Sequence, residues 1–352
     1  MTAFGTSGTS RPSAIATLFP GYFALVMATG IVSIAAHFEG LETVSRLLLW
    51  TNVLFFAVLW VLTGARLVLY RELFLADLTS HARSVLFLTM VAGTEVIGSQ
   101  FAILTPRMDL ARLLWFAGIG LWIVLTSVFF TVATVREPKP TLAEGINGAW
   151  LLVVVSTESV AVLGCLVAPT FARPHLALFV ALWCYFVGAM LYVLFIALIL
   201  YRWMFFPLTP DTLTPSYWIN MGALAITTLA GSRLILAAPH WAFLAEIVPF
   251  LKGFTLFFWS AGAWWIPLLV IAGIWRHGIQ RVPLTYHPQY WSLVFPLGMF
   301  TAATFQLARA TGIDLLAEVP RVFIWIALGA WTLTFVGMAR AILSRGRKPA
   351  PV

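Results

Sequence analysis

Charge is the scarcest commodity in this chain: Asp, Glu, Lys and Arg make up 10% of 352 residues, against about 25% in an ordinary soluble domain. That shortage excludes a soluble globular protein. Cysteine is nearly absent too, and both residues, Cys165 and Cys184, lie inside apolar runs, where thiols behave as small hydrophobes and a disulfide framework has no basis. The six histidines, His37, His81, His175, His240, His277 and His287, fall at or beyond the ends of those runs. None pairs with another at i, i+4, so no metal or haem site is expected and no cofactor is implied. The sequence has no GxxxxGKS loop, no aspartate-rich pair, no H-E-x-x-H and no G-x-S-x-G, which leaves an enzyme without a nucleophile or phosphate cradle. No basic stripe accompanies the net charge of +8, so nucleic acid is not an expected partner.

What is abundant is apolar length. Hydrophobic residues are 61% of the chain, and ten runs, at 15–36, 47–70, 85–104, 110–135, 148–167, 176–202, 217–238, 246–274, 289–310 and 320–343, are each long enough to cross about 30 Å of hydrocarbon. The spacing predicts an all-α integral membrane protein: a short tail at 1–13, a single ten-helix transmembrane domain at 14–343 and a basic tail at 344–352. The first run is too long for a signal-peptide core and lacks an A-x-A pattern, so it is expected to stay as a helix. Thirteen of the 21 basic residues fall on the side of the termini. That bias predicts cytoplasmic termini and, for a bacterial cell, residence in the inner membrane.

Short connections make successive runs antiparallel neighbours, giving five helical hairpins. Polarity then follows parity. Odd runs hold Thr29, Gly30 and Ser33; Thr94, Glu95, Gly98 and Ser99; Ser156, Thr157, Glu158 and Ser159; Asn220, Gly222, Thr227 and Thr228; Gly298, Thr301, Thr304 and Gln306. Even runs are mostly Leu, Phe, Val and Trp. Polar groups are costly in lipid, so the odd helices should face inward and the even ones outward. Two readings fit: a lumen lined by the odd helices, or helices held together by small and hydroxyl side chains.

Glu95 and Glu158 each lie ten residues into their runs, about 15 Å deep and near the midplane. Such carboxyls must be protonated, paired or hydrated. Arg233, sixteen residues into the seventh run, lies near the outer mouth, where it either draws anions inward or snorkels to head groups. Lys252 reads as a snorkelling anchor and Trp50, Trp115, Trp150, Trp241 and Trp291 as an interfacial belt. In the ninth run Pro296 removes an amide from the helix ladder, Gly298, Ala302 and Ala303 leave room, and Phe295 supplies a bulky ring. That combination suits a constriction and suits a packed kink equally.

The opening run, "LFPGYFALVMATGIVSIA", and the ninth, "VFPLGMFTAA", resemble the tellurite-resistance and dicarboxylate transporter family (TehA-like), which includes fungal malic-acid and sulfite transporters and the slow anion channels of plant guard cells. The resemblance extends over the ten-run layout. It implies five hairpins in a ring, odd helices lining a central pore, a homotrimer with one pore per subunit, and an aromatic plug before the proline of the ninth helix, here Phe295 with Pro296. Two departures stand out: the third, fifth and seventh runs have no interior proline, and two midplane glutamates suit a passive anion path poorly unless they are protonated.

The expected function is therefore transport of small anions, inorganic or C4-dicarboxylates such as malate, with Phe295 as gate and Arg233 as outer attractor. The expected path residues are Thr29, Ser33, Thr94, Glu95, Ser99, Thr157, Glu158, Thr228, Met299 and Thr301, with Glu95 and Glu158 as proton-sensitive elements. Rival readings are a proton-coupled dicarboxylate or sulfite carrier with alternating access, a lipid-modifying enzyme built on the loop with Arg71, Glu72, Asp77, His81 and Arg83, and a non-conducting sensor or scaffold.

Overall fold

The computed structural model describes residues 13–347. The expected tails at 1–13 and 344–352, apart from Ser13 and residues 344–347, lie outside the described residues. All ten apolar runs are helices: span 1 Pro20–Phe38, span 2 Glu42–Leu69, span 3 Ser84–Leu104, span 4 Met108–Val135, span 5 Gly148–Thr170, span 6 Pro174–Phe205, span 7 Pro215–His240, span 8 Val248–Ile279, span 9 Pro288–Thr311 and span 10 Asp314–Ser344. Spans 1, 6, 7 and 9 open on proline, which fits a first turn because the missing N–H has no partner there anyway. Span 1 thus begins at Pro20 and not at 15. Span 9 ends on Gly312 at φ 76, a left-handed cap that a Cβ would strain.

Burial follows parity. In the most apolar stretch of spans 1, 3, 5, 7 and 9, between 78% and 94% of residues are buried, against 17% to 50% in spans 2, 4, 6, 8 and 10. The even helices therefore expose large apolar faces, including Trp50, Phe179, Trp264 and Trp325, and only lipid or another subunit satisfies such surfaces.

The packing is cyclic. Each odd span pairs with the even span that follows it, giving five hairpins, and each odd span also touches the next odd one, with span 9 packed back on span 1. Each even span leans in addition on the odd span of the next hairpin, with span 10 against span 1. At every one of those five seams an outer side chain donates a hydrogen bond inward. Asn52 Nδ2 reaches Gln100 Oε1 at 2.6 Å, Trp122 Nε1 reaches Thr157 Oγ1 at 2.8 Å, Tyr192 Oη reaches the Asn220 carbonyl at 3.2 Å, Trp259 Nε1 reaches Thr304 Oγ1 at 2.9 Å and Trp331 Nε1 reaches Thr29 Oγ1 at 3.0 Å. Tryptophan suits the role because its single N–H needs an acceptor in hydrocarbon while its rings fill the seam.

Glycines allow the close approaches. A Cβ on Gly222 of span 7 would stand 2.7 Å from Pro296 Cγ of span 9, and one on Gly298 of span 9 would stand 2.8 Å from Val32 Cγ2 of span 1. Pro296 is therefore seated in a glycine notch, and span 9 stays helical through it.

The loop between spans 2 and 3 carries a short helix, Arg71–Leu78. Both oxygens of buried Asp77 are taken, by Arg66 at 2.6 Å and Arg83 at 3.0 Å, while Arg66 Nε also donates to the Ala16 carbonyl at 3.2 Å. Asp77 thus clamps the segment at Ala16 to the span 2–3 turn, which leaves Glu72 as the one unpaired acid of that loop among the described residues.

Trp331→Phe removes the N–H that joins the last span to the first while keeping an aromatic ring. It should cost about 1 kcal/mol, read as a lower midpoint of thermal unfolding in detergent, whereas Trp264→Phe on an exposed face should leave the midpoint unchanged.

Candidate functional site

A narrow internal cavity of about 20 Å³ lies among the odd spans, room for roughly one water molecule, which needs about 10–15 Å³. All five contribute to its wall: Ile31, Ile34 and Phe38 from span 1; Glu95, Val96, Ser99 and Ile103 from span 3; Ser159 and Val162 from span 5; Ile226, Leu229 and Arg233 from span 7; Met299 from span 9. The i, i+3, i+7 spacing of the span 1 and span 7 residues is one helix face. All five spans run the same way, and the cavity occupies mainly their C-terminal halves.

Phe295 is 1% exposed and lies one helical turn before Met299 on the same face of span 9. It therefore stands just beyond the cavity, toward the N-terminal ends of the odd spans. At the opposite end Phe38 stacks on Phe305 with ring centroids 4.9 Å apart and an interplanar angle of 9°. Beyond that pair a second cavity, of about 260 Å³, is lined by Phe38, Glu39, Phe305, Ala308, Arg309, Ala317 and Arg321. Partial burial pushes the Glu39 carboxyl up from its ordinary value, while the charge of Arg321 pulls it back.

The inner wall is mostly hydrocarbon, and its hydroxyls are spoken for. Ser99 Oγ donates to the Glu95 carbonyl at 2.9 Å and Ser159 Oγ to the Ser156 carbonyl at 2.7 Å. They present lone pairs to the cavity and no proton, so neither helps to hold an anion. Arg233 differs. Its Nε is buried without a hydrogen-bond partner, and among the described residues no acid pairs with it. Its Cζ lies 5.9 Å from the centroid of the Phe38 ring, within cation–π range. The guanidinium is thus the cavity's free donor and its full positive charge.

Of the expected path residues, Glu95, Ser99 and Met299 line the cavity, together with Arg233, the expected outer attractor. Thr29, Ser33 and Thr157 are absent from its wall. Thr29 and Thr157 accept the tryptophan bonds described above, and Ser33 donates to the Ser45 carbonyl of span 2 at 2.8 Å. Thr94, Thr228 and Thr301 donate to the carbonyls of Met90, Leu224 and Leu297 and are absent from the cavity wall. At these positions the hydroxyls meet the bonding needs of helices in hydrocarbon.

The two glutamates occupy matching places in successive hairpins. A Cβ on Gly118 of span 4 would stand 2.6 Å from Glu95 Cδ, and a Cβ on Gly188 of span 6 would stand 2.7 Å from Glu158 Cδ. Each carboxyl therefore reaches from its inner helix into a glycine notch of the outer helix. Glu158 Oε1 accepts from Thr227 Oγ1 at 3.2 Å; Glu158 Oε2 and both Glu95 oxygens have no partner. Glu158 is not part of the cavity wall.

Phe38 and Phe305 escaped the sequence reading. The only signal for Phe38 is an aromatic just past the end of an odd apolar run, indistinguishable from an interfacial ring.

Ten apolar helices, five of them buried about a narrow internal cavity with one unpaired guanidinium, define a multi-pass membrane protein of the transport class. The chain matches the SLAC1 family, described as voltage-dependent anion channel, over residues 17–339, and it belongs to that family. It is 24% identical to a protein of Methanocaldococcus jannaschii named as an uncharacterized transporter, over 92% of this chain and 94% of that one. It is 26% identical to a sulfite efflux pump of Arthroderma otae, over 92% of this chain and 90% of that one. An uncharacterized membrane protein of Mycobacterium tuberculosis is 42% identical over 42% of this chain and 75% of its own length. The family is one of channels and transporters.

Gly188→Ala should collide with the Glu158 carboxyl and destabilise the protein by about 1–3 kcal/mol. Adding Glu158→Ala should recover part of that loss, a coupling of about 0.5–3 kcal/mol, read from unfolding midpoints of the four proteins in one detergent.

Proposed function

We propose that the protein conducts small anions across the membrane along the axis of the five odd spans, and that it is not an enzyme. One observation carries this reading: a cavity walled by all five odd spans, with the unpaired Arg233 at one end and Phe295 one turn beyond the other. An anion leaving water loses its hydration, and in a hydrocarbon-lined passage a fixed guanidinium offsets that loss. Phe295 is the gate. Its ring closes the path on the N-terminal side of the cavity, and the Gly222 notch that holds Pro296 keeps the ring in place.

A passage of about 20 Å³ favours a compact inorganic anion such as chloride, nitrate or sulfite. A C4-dicarboxylate such as malate requires the whole chamber to widen. The names of the fungal relatives, sulfite efflux pumps, support sulfite as a substrate to test first. The excess of Lys and Arg on the side of the termini supports an inner-membrane orientation with both termini cytoplasmic. The exposed apolar faces of the even spans and the family resemblance support a homotrimer in the bilayer.

A second reading, proton linkage, is favoured by the carboxyls of Glu95 and Glu158, which lie inside the membrane with unpartnered oxygens. Both meet outer-helix glycines; Glu95 also borders the cavity and Glu158 does not, so a proton on Glu158 acts on hairpin packing, and one on Glu95 acts on packing and beside the anion.

Anion flux into liposomes holding purified protein tests both readings. Phe295→Ala should raise chloride or sulfite flux at least tenfold and Arg233→Gln should lower it severalfold; unchanged flux in Phe295→Ala overturns the gate. Glu95→Gln and Glu158→Gln should flatten the dependence of flux on pH between 5 and 8, and an identical profile removes the proton reading.

A further inference from the structure

The cavity has two aromatic ends. Phe38, the last residue of span 1, borders both the inner cavity and the outer one. Its partner Phe305 belongs to span 9, ten residues beyond Phe295, which puts the two closures roughly 15 Å apart along one helix. Phe38 stands between the two spaces and Phe305, on the wall of the outer one, stacks against it, so an anion passing along this line meets the stacked rings.

The charges on either side fit that passage. Arg309 lines the outer cavity and Arg233 the inner one, and neither has an acid partner among the described residues. Arg321, also on the outer wall, is held by Glu318 at 2.7 and 2.9 Å. The other charged groups bordering the pair are Glu39 on the outer wall and Glu95 on the inner one. An incoming anion thus meets an unpaired guanidinium outside the rings and another inside them.

We propose that Phe38 and Phe305 form a second closure, at the end of the passage opposite Phe295, which shuts a single small anion in on the Arg233 guanidinium. This deepens the anion-path reading and rests on it. The ring and the anion compete for the same cation: the face of Phe38 carries the negative pole of its quadrupole, which attracts the guanidinium and repels an anion. An anion arriving at Arg233 weakens the hold on Phe38, and an empty site restores it. The closure therefore responds to occupancy. With two closures and room for about one small species between them, the site is an occlusion chamber and not a stretch of continuous pore.

The test is the rate at which a cysteine in the chamber is modified. Ser99→Cys is introduced into the full chain with Cys165→Ala and Cys184→Ala, reconstituted in lipid nanodiscs and treated with charged methanethiosulfonates, with elution volume and unfolding midpoint confirming the fold. With both closures intact the thiol should be protected. Phe38→Ala with Phe305→Ala should speed modification at least tenfold while Phe295 is present, and the Leu pair, which keeps bulk, should stay protected. The anionic reagent should outpace the cationic one, nitrate should slow it, and Arg233→Gln should abolish both effects. A thiol equally reactive whether residues 38 and 305 are Phe or Ala overturns the closure, as does charge selectivity that survives Arg233→Gln. The readout needs no transport. Protection that follows the rings in a protein that passes no anion sinks the anion path and keeps the closure; anion flux with reactivity indifferent to the rings does the reverse.

Discussion

Hydrocarbon offers no hydrogen bonds, and that single constraint arranges this protein. An indole N–H, a hydroxyl or an amide within a span must find its partner on another helix or on its own backbone, or cost several kcal/mol. The five outer-to-inner bonds, from Asn52, Trp122, Tyr192, Trp259 and Trp331, are local answers to that demand. Because each joins one hairpin to the next, they also close the set. A hairpin in isolation would bury neither its polar donor nor its acceptor, so the same groups that are expensive in lipid specify which hairpin sits beside which.

The same constraint explains what could and could not be read from the residues. The helices, their number and the burial of the odd ones were legible, since run length and the parity of polar residues report directly on lipid contact. The direction of each polar side chain was not. Thr29 and Thr157 look like pore hydroxyls in sequence, yet each accepts an indole N–H from a helix that a one-dimensional reading cannot place beside it, in one case 302 residues away. Glu158 looked like a lumen acid and reaches a glycine of its own hairpin. Phe38 carried no distinguishing signal, because its meaning depends on Phe305 across a fold contact. Arg233 was legible as a charge near a mouth, but only packing reveals that no acid answers it.

The passage itself is chemically sparse. Its serines spend their protons on their own helices, and apart from Glu95 and Arg233 the remaining wall is Ile, Val, Leu, Met and Phe. Such a surface cannot replace a hydration shell by many weak donors, as carbonyl-lined filters do for cations. Its one cation is the Arg233 guanidinium. On the proposed path, discrimination among anions would depend on how readily each gives up water and on how well it fits beside a planar guanidinium.

The five odd helices point the same way, a consequence of hairpins that all begin at one side. Each helix carries about half a positive charge at its N-terminus and half a negative one at its C-terminus. Five parallel dipoles around one narrow path therefore polarise it lengthwise, with the Phe295 end positive and the Phe38 end negative. Arg233 in span 7 and Arg309 in the last turn of span 9 lie toward the negative end and partly neutralise it. The bundle thus carries a lengthwise polarisation whose asymmetry belongs to the direction of the helices and not to any one side chain.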